Sequence, residues 1–412
     1  MCKRITLSLL LLGTFIFTAL AEESFAIGDL QYTIRTSAPT TVSVKRNPSI
    51  TESTITSVNI PAEVTYNNVV YTVTHVSPNA FYNCSKLKDV KLPSTLLSIS
   101  VNAFRECGKL PSLTIPASVA EIASNAFYYD TELTQMFFEG SVAPILNSVL
   151  SFVRSDLVLN VLSTTAKESF LNSKWRESVA SDDAIVVTPI EINEAIDNSS
   201  ILEQHAGHTA DVVLTRTIRS EGYNSLCLPF ALSAEQVQAT FGDDCEIQEL
   251  SSASVTSEGI DMQFTSCTAI EAGHAYLVKP KATVTNPTIQ NVVLTDNVVP
   301  TETADVDFIG IFSPTAITAS DNTLILGAGN TLHPTASETM NGLRGYFVLK
   351  SSCAKAAAKK QIKMSFNSAN TTTDMSSVSS AQGLLIRKQI INGQLHIVRG
   401  EIHYNAQGMK IE

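Results

Sequence analysis

The chain is poor in cysteine, in charge and in long apolar runs. Six cysteines follow residue 21, without a C-x-x-C pair; this is too few for a disulfide-built scaffold, and it disfavours metal and redox roles. Charged residues make up only 16% of the chain, which argues against a long helical bundle. No apolar run after Leu20 is long enough to cross a bilayer.

The one long apolar run lies at the N-terminus. Lys3 and Arg4 precede an apolar stretch that ends in Ala19-Leu20-Ala21. A basic start, a short apolar core and a small-x-small ending are typical of a Sec signal peptide. We therefore predict that residues 1–21 form a signal peptide cleaved after Ala21, with Ala26 as a later option and a retained membrane anchor as the alternative. An extracellular or cell-surface location follows from this prediction.

The net charge excludes one class of partner. Removal of residues 1–21 leaves 26 Lys and Arg against 39 Asp and Glu, a net charge of −13. The acidic excess lies in residues 22–351, because residues 352–412 carry eight basic and three acidic side chains. Such a body repels phosphate backbones, so nucleic acid is not an expected partner.

What the chain does have is Ser, Thr, Asn and Val, which favour β structure, and a repeat of 23 residues. Asn-Ala-Phe recurs with its phenylalanines at Phe81, Phe104 and Phe127. Apolar positions keep the same phase on both sides of the triplet, for example Leu87, Leu110 and Leu133. A period in the twenties is that of one leucine-rich unit, which buries its apolar side chains only by stacking on its neighbours. We expect a short solenoid over residues 22–180.

Alternation within each unit places a short strand. In Lys88-Asp89-Val90-Lys91-Leu92 the residues Val90 and Leu92 are expected to point inward and the lysines outward. The outward positions define a candidate binding face. Its predicted members are Lys88, Lys91, Ser112, Thr114, Thr134 and Gln135.

Both ends of the solenoid show departures from the repeat. Asn67-Asn68 between alternating apolar residues predicts a hairpin that caps the first coil. Asp130 replaces the cysteine of the first two units, which suggests that stacking stops there. A capping-box pattern at Thr165–Glu168, followed by Trp175, predicts a closing helix over 163–178.

Cys84 and Cys107 occupy the same position in successive units. They form either a disulfide or two buried thiols in a column. The second interpretation is favoured, because cysteine often behaves as a small core hydrophobe.

The stretch from Val70 to Val119, with its two NAF-x-x-C units and its Leu-Pro-Ser and Ile-Pro-Ala steps, resembles the BspA-like leucine-rich repeats of bacterial surface proteins. The strand and Trp-bearing helix at 156–178 are similar to the segment that usually closes such repeats. The resemblance implies a solenoid and a family that includes adhesins. It names no ligand.

A second resemblance covers about residues 205–366. Tyr223-Asn224-Ser225-Leu226-Cys227-Leu228-Pro229-Phe230 resembles a WNTLCLPF signature of secreted Bacteroidetes proteins, with Tyr223 in place of Trp. Gly342–Phe347 is similar to a later strand of that module. Independently, many short apolar runs bounded by Gly, Pro, Asn or Asp predict an antiparallel β-sandwich-like domain over 206–366.

Three further segments complete the predicted organisation. Residues 181–205 read as a linker and residues 367–383 as a flexible spacer. Asn392-Gly393 predicts a C-terminal β-hairpin tail over 384–412. That tail is similar to the C-terminal tails of exported Bacteroidetes proteins, some of which are sorting signals.

Motifs for catalysis or cofactors are weak. His205 and His208 have a metal-like spacing but lack further ligands at fixed offsets. Asp305-Val306-Asp307 lacks the remaining oxygen ligands of a calcium loop, and Gly327-Ala328-Gly329 lacks the third glycine of a dinucleotide loop. Asp243-Asp244 lacks a cleft and a differently tuned partner. We therefore predict no enzyme activity, no metal and no cofactor.

The sequence leaves two functional hypotheses. The first is a secreted or cell-surface binding or adhesion protein whose leucine-rich-repeat face binds a host or matrix protein or a glycan. The second is a structural spacer or secretion-cargo module without a ligand of its own. Deletion of residues 384–412 separates them, because a pure binding protein would keep its localisation.

Overall fold

The computed structural model describes residues 23–148, 150, 154–255, 259–318, 320–335, 338–350 and 361–367, and five short strands beyond residue 377. The predicted signal peptide lies outside the described residues, as does the predicted spacer apart from Asn367 and Val378–Ser379. The chain forms two compact units, 1–188 and 189–412, which are described separately.

The first unit begins with an antiparallel cap that the repeat pattern did not predict. Its strands are Ser24–Ile27, Leu30–Ile34 and Thr41–Arg46. The third pairs in parallel with Val69–Val76, which also pairs with Glu63–Tyr66 as a hairpin. Asn67 and Asn68 form the hairpin turn with φ of 49° and 62°, values that asparagine tolerates better than most residues.

After the cap, the chain coils between two stacks of parallel strands. One stack contains Ser57–Asn59, Asp89–Lys91, Ser112–Ile115, Gln135–Phe138, Val158–Val161 and Ile185–Val187. The other continues from Val69–Val76 through Ser98–Ile99, Glu121–Ile122 and Ile145–Leu146. Between them lies one continuous apolar core.

The three phenylalanines of the repeat stack in the middle of this core. Ring centroids are 5.2 Å apart for Phe81 and Phe104, and 5.8 Å for Phe104 and Phe127. All three side chains are fully buried. The 23-residue period therefore reports real stacking of successive coils, as the sequence predicts.

Stacking does not stop at Asp130, contrary to the sequence interpretation. Val158–Val161 pairs with Gln135–Phe138 and extends the stack. Asp130 is fully buried, and one of its carboxylate oxygens accepts a hydrogen bond of 2.8 Å from the backbone N–H of Cys107. Burial raises the pKa of Asp130 well above its ordinary value. The carboxylate thus replaces a thiol inside the column instead of ending it.

The closing segment is two short helices where one was predicted. An α-helix spans Thr164–Leu171 with Ser163 as its N-cap, three residues before Ala166, whose N–H the hydroxyl accepts. A 3-10 helix follows at Lys174–Ser178. The break occurs because the Ser173 side chain caps the N–H of Trp175. Trp175 is fully buried against Phe138 and Phe170.

The predicted linker at 181–205 is ordered. Asp182–Ala184 is a 3-10 helix, Ile185–Val187 joins the solenoid sheet, Ile190–Asn193 is a strand and Ser199–His205 is a helix. The polar residues that suggested a linker serve local structure instead. The Asn198 side chain, for example, bonds the backbone of Asn193 and Phe312.

The second unit contains two five-stranded sheets. The first has the order Asn224–Cys227, Ala275–Lys279, Glu246–Val255, Gly259–Cys267, Gln361–Asn367, and the second Thr301–Glu302, Val306–Ile311, Arg344–Leu349, Ser320–Leu326, Leu332–Thr335. Phe264 of the first packs edge to face on Phe347 of the second, with ring centroids 6.2 Å apart.

Smaller elements complete the second unit. The remaining strands are Thr209–Thr215, Thr217–Ile218, Val284–Thr285, Thr288–Val293, Thr315–Ile317 and Glu338–Met340, with a 3-10 turn at Ala328–Asn330. The helix Ala234–Phe241 starts with a capping box between Ser233 and Gln236. Two pairings are parallel where antiparallel ones were expected, Ile190–Asn193 with Thr209–Thr215 and Gly259–Cys267 with Gln361–Asn367.

Arg216 carries the buried charge of this unit. Its side chain donates to the carbonyl oxygens of Leu343 and Ser225, the latter at 2.6 Å. Glu194 lies 3.6 Å from the Arg216 guanidinium and 2.7 Å from that of Arg344. Burial, followed by the like charge of Arg344, lowers the pKa of Arg216 to about 9, so the guanidinium stays charged at neutral pH.

Beyond residue 377 the described strands form one antiparallel sheet. They are Val378–Ser379, Leu385–Ile391, Gln394–Arg399, Ile402–Tyr404 and Lys410–Ile411. Ile391 pairs with Gln394 across the residues where Asn392-Gly393 predicts a turn.

Candidate binding surface

The outer side of the first strand stack, named the strand face, carries its side chains in register. In the parallel ladders, Gln135 lies beside Ser112 on one side and Val158 on the other. Phe137 lies in the same way between Thr114 and Asn160. Because parallel strands repeat the same phase, each outward position forms a row across the coils.

The same rows continue toward the N-terminal end. Ser57 pairs with Asp89, and Asn59 with Lys91. All four side chains are exposed, while the intervening Val58 is buried. The face therefore presents hydroxyl, amide and charged groups in front of an apolar core.

The six predicted residues occupy two kinds of position. Lys91, Ser112, Thr114 and Gln135 are exposed and point outward from strands. Lys88 and Thr134 instead precede their strands, and Thr134 is half-buried. The Thr134 hydroxyl donates to the Pro111 carbonyl at 3.3 Å, so that group is already engaged within the protein.

The sequence interpretation missed several members of the rows. They are Ser57, Asn59, Asp89, Phe137 and Asn160. Phe137 was detectable, because Phe138 occupies the inward position of the repeat and alternation then turns Phe137 outward. The face thus has a half-buried aromatic ring between polar neighbours.

The hydrogen-bond ladder of the strand face is interrupted between Asp89–Lys91 and Ser112–Ile115. Lys88, Pro111 and Thr134 are equivalent positions, 23 residues apart. The N–H of Lys88 donates to Thr56, and that of Thr134 donates to Pro111. Proline has no N–H, so the equivalent bond to Lys88 cannot form.

Cys84 and Cys107 are both free and buried. Burial raises the pKa of Cys84 to about 11 and that of Cys107 further. Neither thiol therefore has the exposed thiolate character of a reactive cysteine.

The candidate chemical motifs occur in ordinary local structure. His205 and His208 lie 6.0 Å apart between ring centroids, and burial, followed by the charge of His208, lowers the pKa of His205. Asp244 pairs with Lys281 at 2.5 Å, and Gln238 donates to Asp243 at 2.5 Å.

The other two motifs are equally local. Asp307 pairs with Lys350 at 3.0 Å, and Gly329 has φ of 69° in a turn. Within the described part of the chain, no three His, Cys, Asp or Glu side chains lie close enough together to ligate a metal ion. Nor does any helix there have the length and apolarity needed to cross a membrane.

The stacked coils and their in-register strand face define a leucine-rich-repeat protein. Residues 49–174 match the model of the BspA type leucine rich repeat region, in six copies, and this part of the chain belongs to that family. The match ends before the second unit, so the resemblance of residues 205–366 to another secreted module stays a prediction. No curated protein sequence matches the chain.

Solved structures with similarity include leucine-rich repeat proteins from two Bacteroides species. The one from Bacteroides capillosus is 26% identical over 29% of this chain and 100% of its own, with a TM-score of 0.24. The one from Bacteroides ovatus is 22% identical over 41% of this chain and 43% of its own, with a TM-score of 0.27. A leucine rich cell surface protein from Faecalibacterium prausnitzii is 16% identical over 41% and 55%, with a TM-score of 0.19.

Proposed function

We propose that this chain is a non-enzymatic, secreted or cell-surface binding or adhesion protein that uses its strand face to bind a host or matrix protein or a glycan. The observation that supports the proposal most directly is the register of the strand face. Rows of outward side chains from several coils are fixed on a sheet whose inner side is buried.

This geometry favours an extended partner. Solenoid strand stacks offer a broad surface and not a deep pocket. Phe137 provides apolar contact area at the centre, and Lys91, Thr114 and Gln135 provide donors and acceptors around it. Aromatic anchors with a polar surround are the usual arrangement of binding energy at protein surfaces.

The experiment screens the mature chain, residues 22–412, on arrays of extracellular-matrix proteins and of mammalian glycans. We expect at least one array signal to fall about tenfold or more in the variant Thr114→Ala/Gln135→Ala/Phe137→Ala. Glu63→Ala, an exposed change on the capping hairpin, is the matched control and should bind as the unchanged chain does. Blank arrays, or equal signals from both variants, would contradict the proposal.

Export is tested separately. N-terminal sequencing of the protein recovered from the cell surface or the medium should begin at Glu22, or at Ile27 if the later cleavage option is used. Recovery of the chain only from the cell interior with Met1 in place would refute the predicted export without affecting the binding experiment.

A further inference from the structure

A second surface of the solenoid carries an aromatic and cationic stack. Tyr82, Arg105 and Tyr128 each follow the repeated phenylalanine, at the same position of successive coils. The guanidinium carbon of Arg105 lies 5.7 Å from the ring centre of Tyr82 and 4.8 Å from that of Tyr128. Together with Tyr129, these residues are named the turn column.

Much of the aromatic surface in the turn column faces solvent. Tyr82 is 41% exposed and Tyr129 is 45% exposed. Tyr128 and Tyr129 lie with ring centroids 5.0 Å apart and planes tilted by 56°. The core of these coils is already filled by the stacked phenylalanines, so the exposed tyrosine rings are not needed to close it.

The backbone at Tyr129 is unusual for an aromatic residue. Its φ is 67°, and the equivalent residues of the two preceding coils, Asn83 and Glu106, have φ of 59° and 63°. Asparagine tolerates this left-handed region, whereas a bulky side chain there is strained. Strain of this kind is concentrated at ligand sites, where a side chain must be displayed.

The polar groups around the rings are close to charge neutrality. Arg105 pairs with Glu106 at 3.1 Å, and Lys109 pairs with Glu132 in the same two coils. The side-chain amide of Asn102 donates to that of Asn79 at 3.1 Å nearby along the turns. Paired charges attract phosphate or acidic chains weakly, while amides, carboxylates and guanidinium groups bond hydroxyls well.

We propose that the turn column binds a neutral carbohydrate chain. The apolar faces of sugar rings stack on Tyr82 and Tyr129, and sugar hydroxyls bond the Arg105–Glu106 pair. Tyr82 and Tyr128 are two coils apart, roughly 10 Å at the usual strand spacing, so a chain laid along the column meets more than one ring. This site is separate from the strand face and does not depend on its proposed function.

Affinity electrophoresis of the mature chain tests the proposal. The native gels contain soluble starch, dextran, yeast mannan or laminarin as neutral probes, and hyaluronan as an acidic one. We expect at least one neutral polysaccharide to retard the protein. Tyr82→Ala and Tyr129→Ala should each raise the apparent Kd about tenfold, and Tyr82→Phe, which keeps the ring, should stay near the original value.

Two controls keep the result interpretable. Leu97→Ala removes a comparably exposed apolar side chain, 47% exposed, from the other stack of the solenoid and should leave retardation unchanged. The thermal transition followed by Trp175 fluorescence shows that each variant is folded. No retardation by any neutral probe, retardation by hyaluronan alone, or equal retardation of folded Tyr82→Ala and the unchanged chain would overturn the proposal.

Discussion

The rings of Phe81 and Phe104 stack with an interplanar angle of 12°, although 23 residues separate them along the chain. Each coil is therefore placed on its predecessor without a shift in phase. The same phase aligns the outward side chains of the strand face and stacks Arg105 between two tyrosines of the turn column. Both proposed surfaces thus follow from one buried stack.

Phe104 lies in the middle of that stack, so its loss should be costly. We expect Phe104→Ala to lower the free energy of unfolding by about 3–5 kcal/mol, because a fully buried ring leaves a cavity with neighbours on both sides. Urea denaturation followed by Trp175 fluorescence measures this. Leu97→Ala, on the surface, should change it by only about 0.5 kcal/mol; similar losses in both variants would contradict the stacked core.

The sequence predicts the middle of the solenoid better than its ends. Three coils are visible because Asn, Phe and Leu recur at a fixed step, each for a separate physical reason. The antiparallel cap over residues 24–46 is not visible, because its strands do not repeat the pattern. Asp130 misleads for another reason: a carboxylate reads as a surface group unless its backbone partner, here Cys107, is known.

The strand face was predicted only in part, and the omissions have a common cause. Alternation gives the inward or outward side of a residue within a strand, but the strand limits are needed first. Lys88 and Thr134 precede their strands, so alternation does not apply to them. Phe137 was passed over because it is apolar, although its parity places it outside.

Asn102 should be more sensitive to substitution than its surface position suggests. Its φ is 54°, and its amide donates to Asn79. Asn102→Ala forces a Cβ-branched path into the left-handed region without the amide bond, and we expect a loss of roughly 1–2 kcal/mol in the free energy of unfolding. Asn102→Gly accepts the same φ and should lose less. Equal losses in urea denaturation would show that backbone conformation is not the cause.

Trp175 is the only tryptophan, and its indole N–H donates to the Pro144 carbonyl at 2.8 Å. Because the side chain is fully buried, we expect blue-shifted fluorescence in the folded protein and a red shift on unfolding. Trp175→Phe keeps most of the apolar volume but leaves that carbonyl unpaired. The expected cost is about 1–3 kcal/mol in chemical denaturation followed by circular dichroism; no measurable cost would show that water replaces the indole.

Asp130 should make stability depend on pH. Burial raises its folded pKa above the ordinary value of 3.8, so the folded state holds a proton in a range where the unfolded state has lost it. The unfolded state then binds fewer protons, and the free energy of unfolding falls as pH rises from about 3.8 toward the folded pKa. Below that range the contribution of Asp130 is constant.

The matched variant for this dependence is Asp130→Asn. Its amide oxygen still accepts the hydrogen bond from the backbone of Cys107, but it does not titrate. We expect the variant to lose less stability than the unchanged chain between pH 4 and pH 7, as measured by urea midpoints at each pH. Parallel pH profiles would show that Asp130 titrates with its ordinary pKa in the folded protein.

Arg216 should be essential to the sheets of the second unit. It is 2% exposed and holds the carbonyl oxygens of Ser225 and Leu343. Arg216→Met keeps much of the side-chain length but leaves both carbonyls unpaired, so we expect a loss of about 3–5 kcal/mol. Hydrogen–deuterium exchange should accelerate in the peptides that cover Asn224–Cys227 and Arg344–Leu349.

Lys279→Met is the matched control for this substitution, because it removes a cation from the same unit at an exposed position. Lys279 pairs with Glu246 at 2.9 Å, and its side chain is 37% exposed, so its ion pair contributes about 1 kcal/mol or less. Exchange in the same two peptides should be nearly unchanged. If both variants accelerated exchange equally, the effect would come from loss of positive charge in general, and the hydrogen bonds of Arg216 would not be what holds these strands.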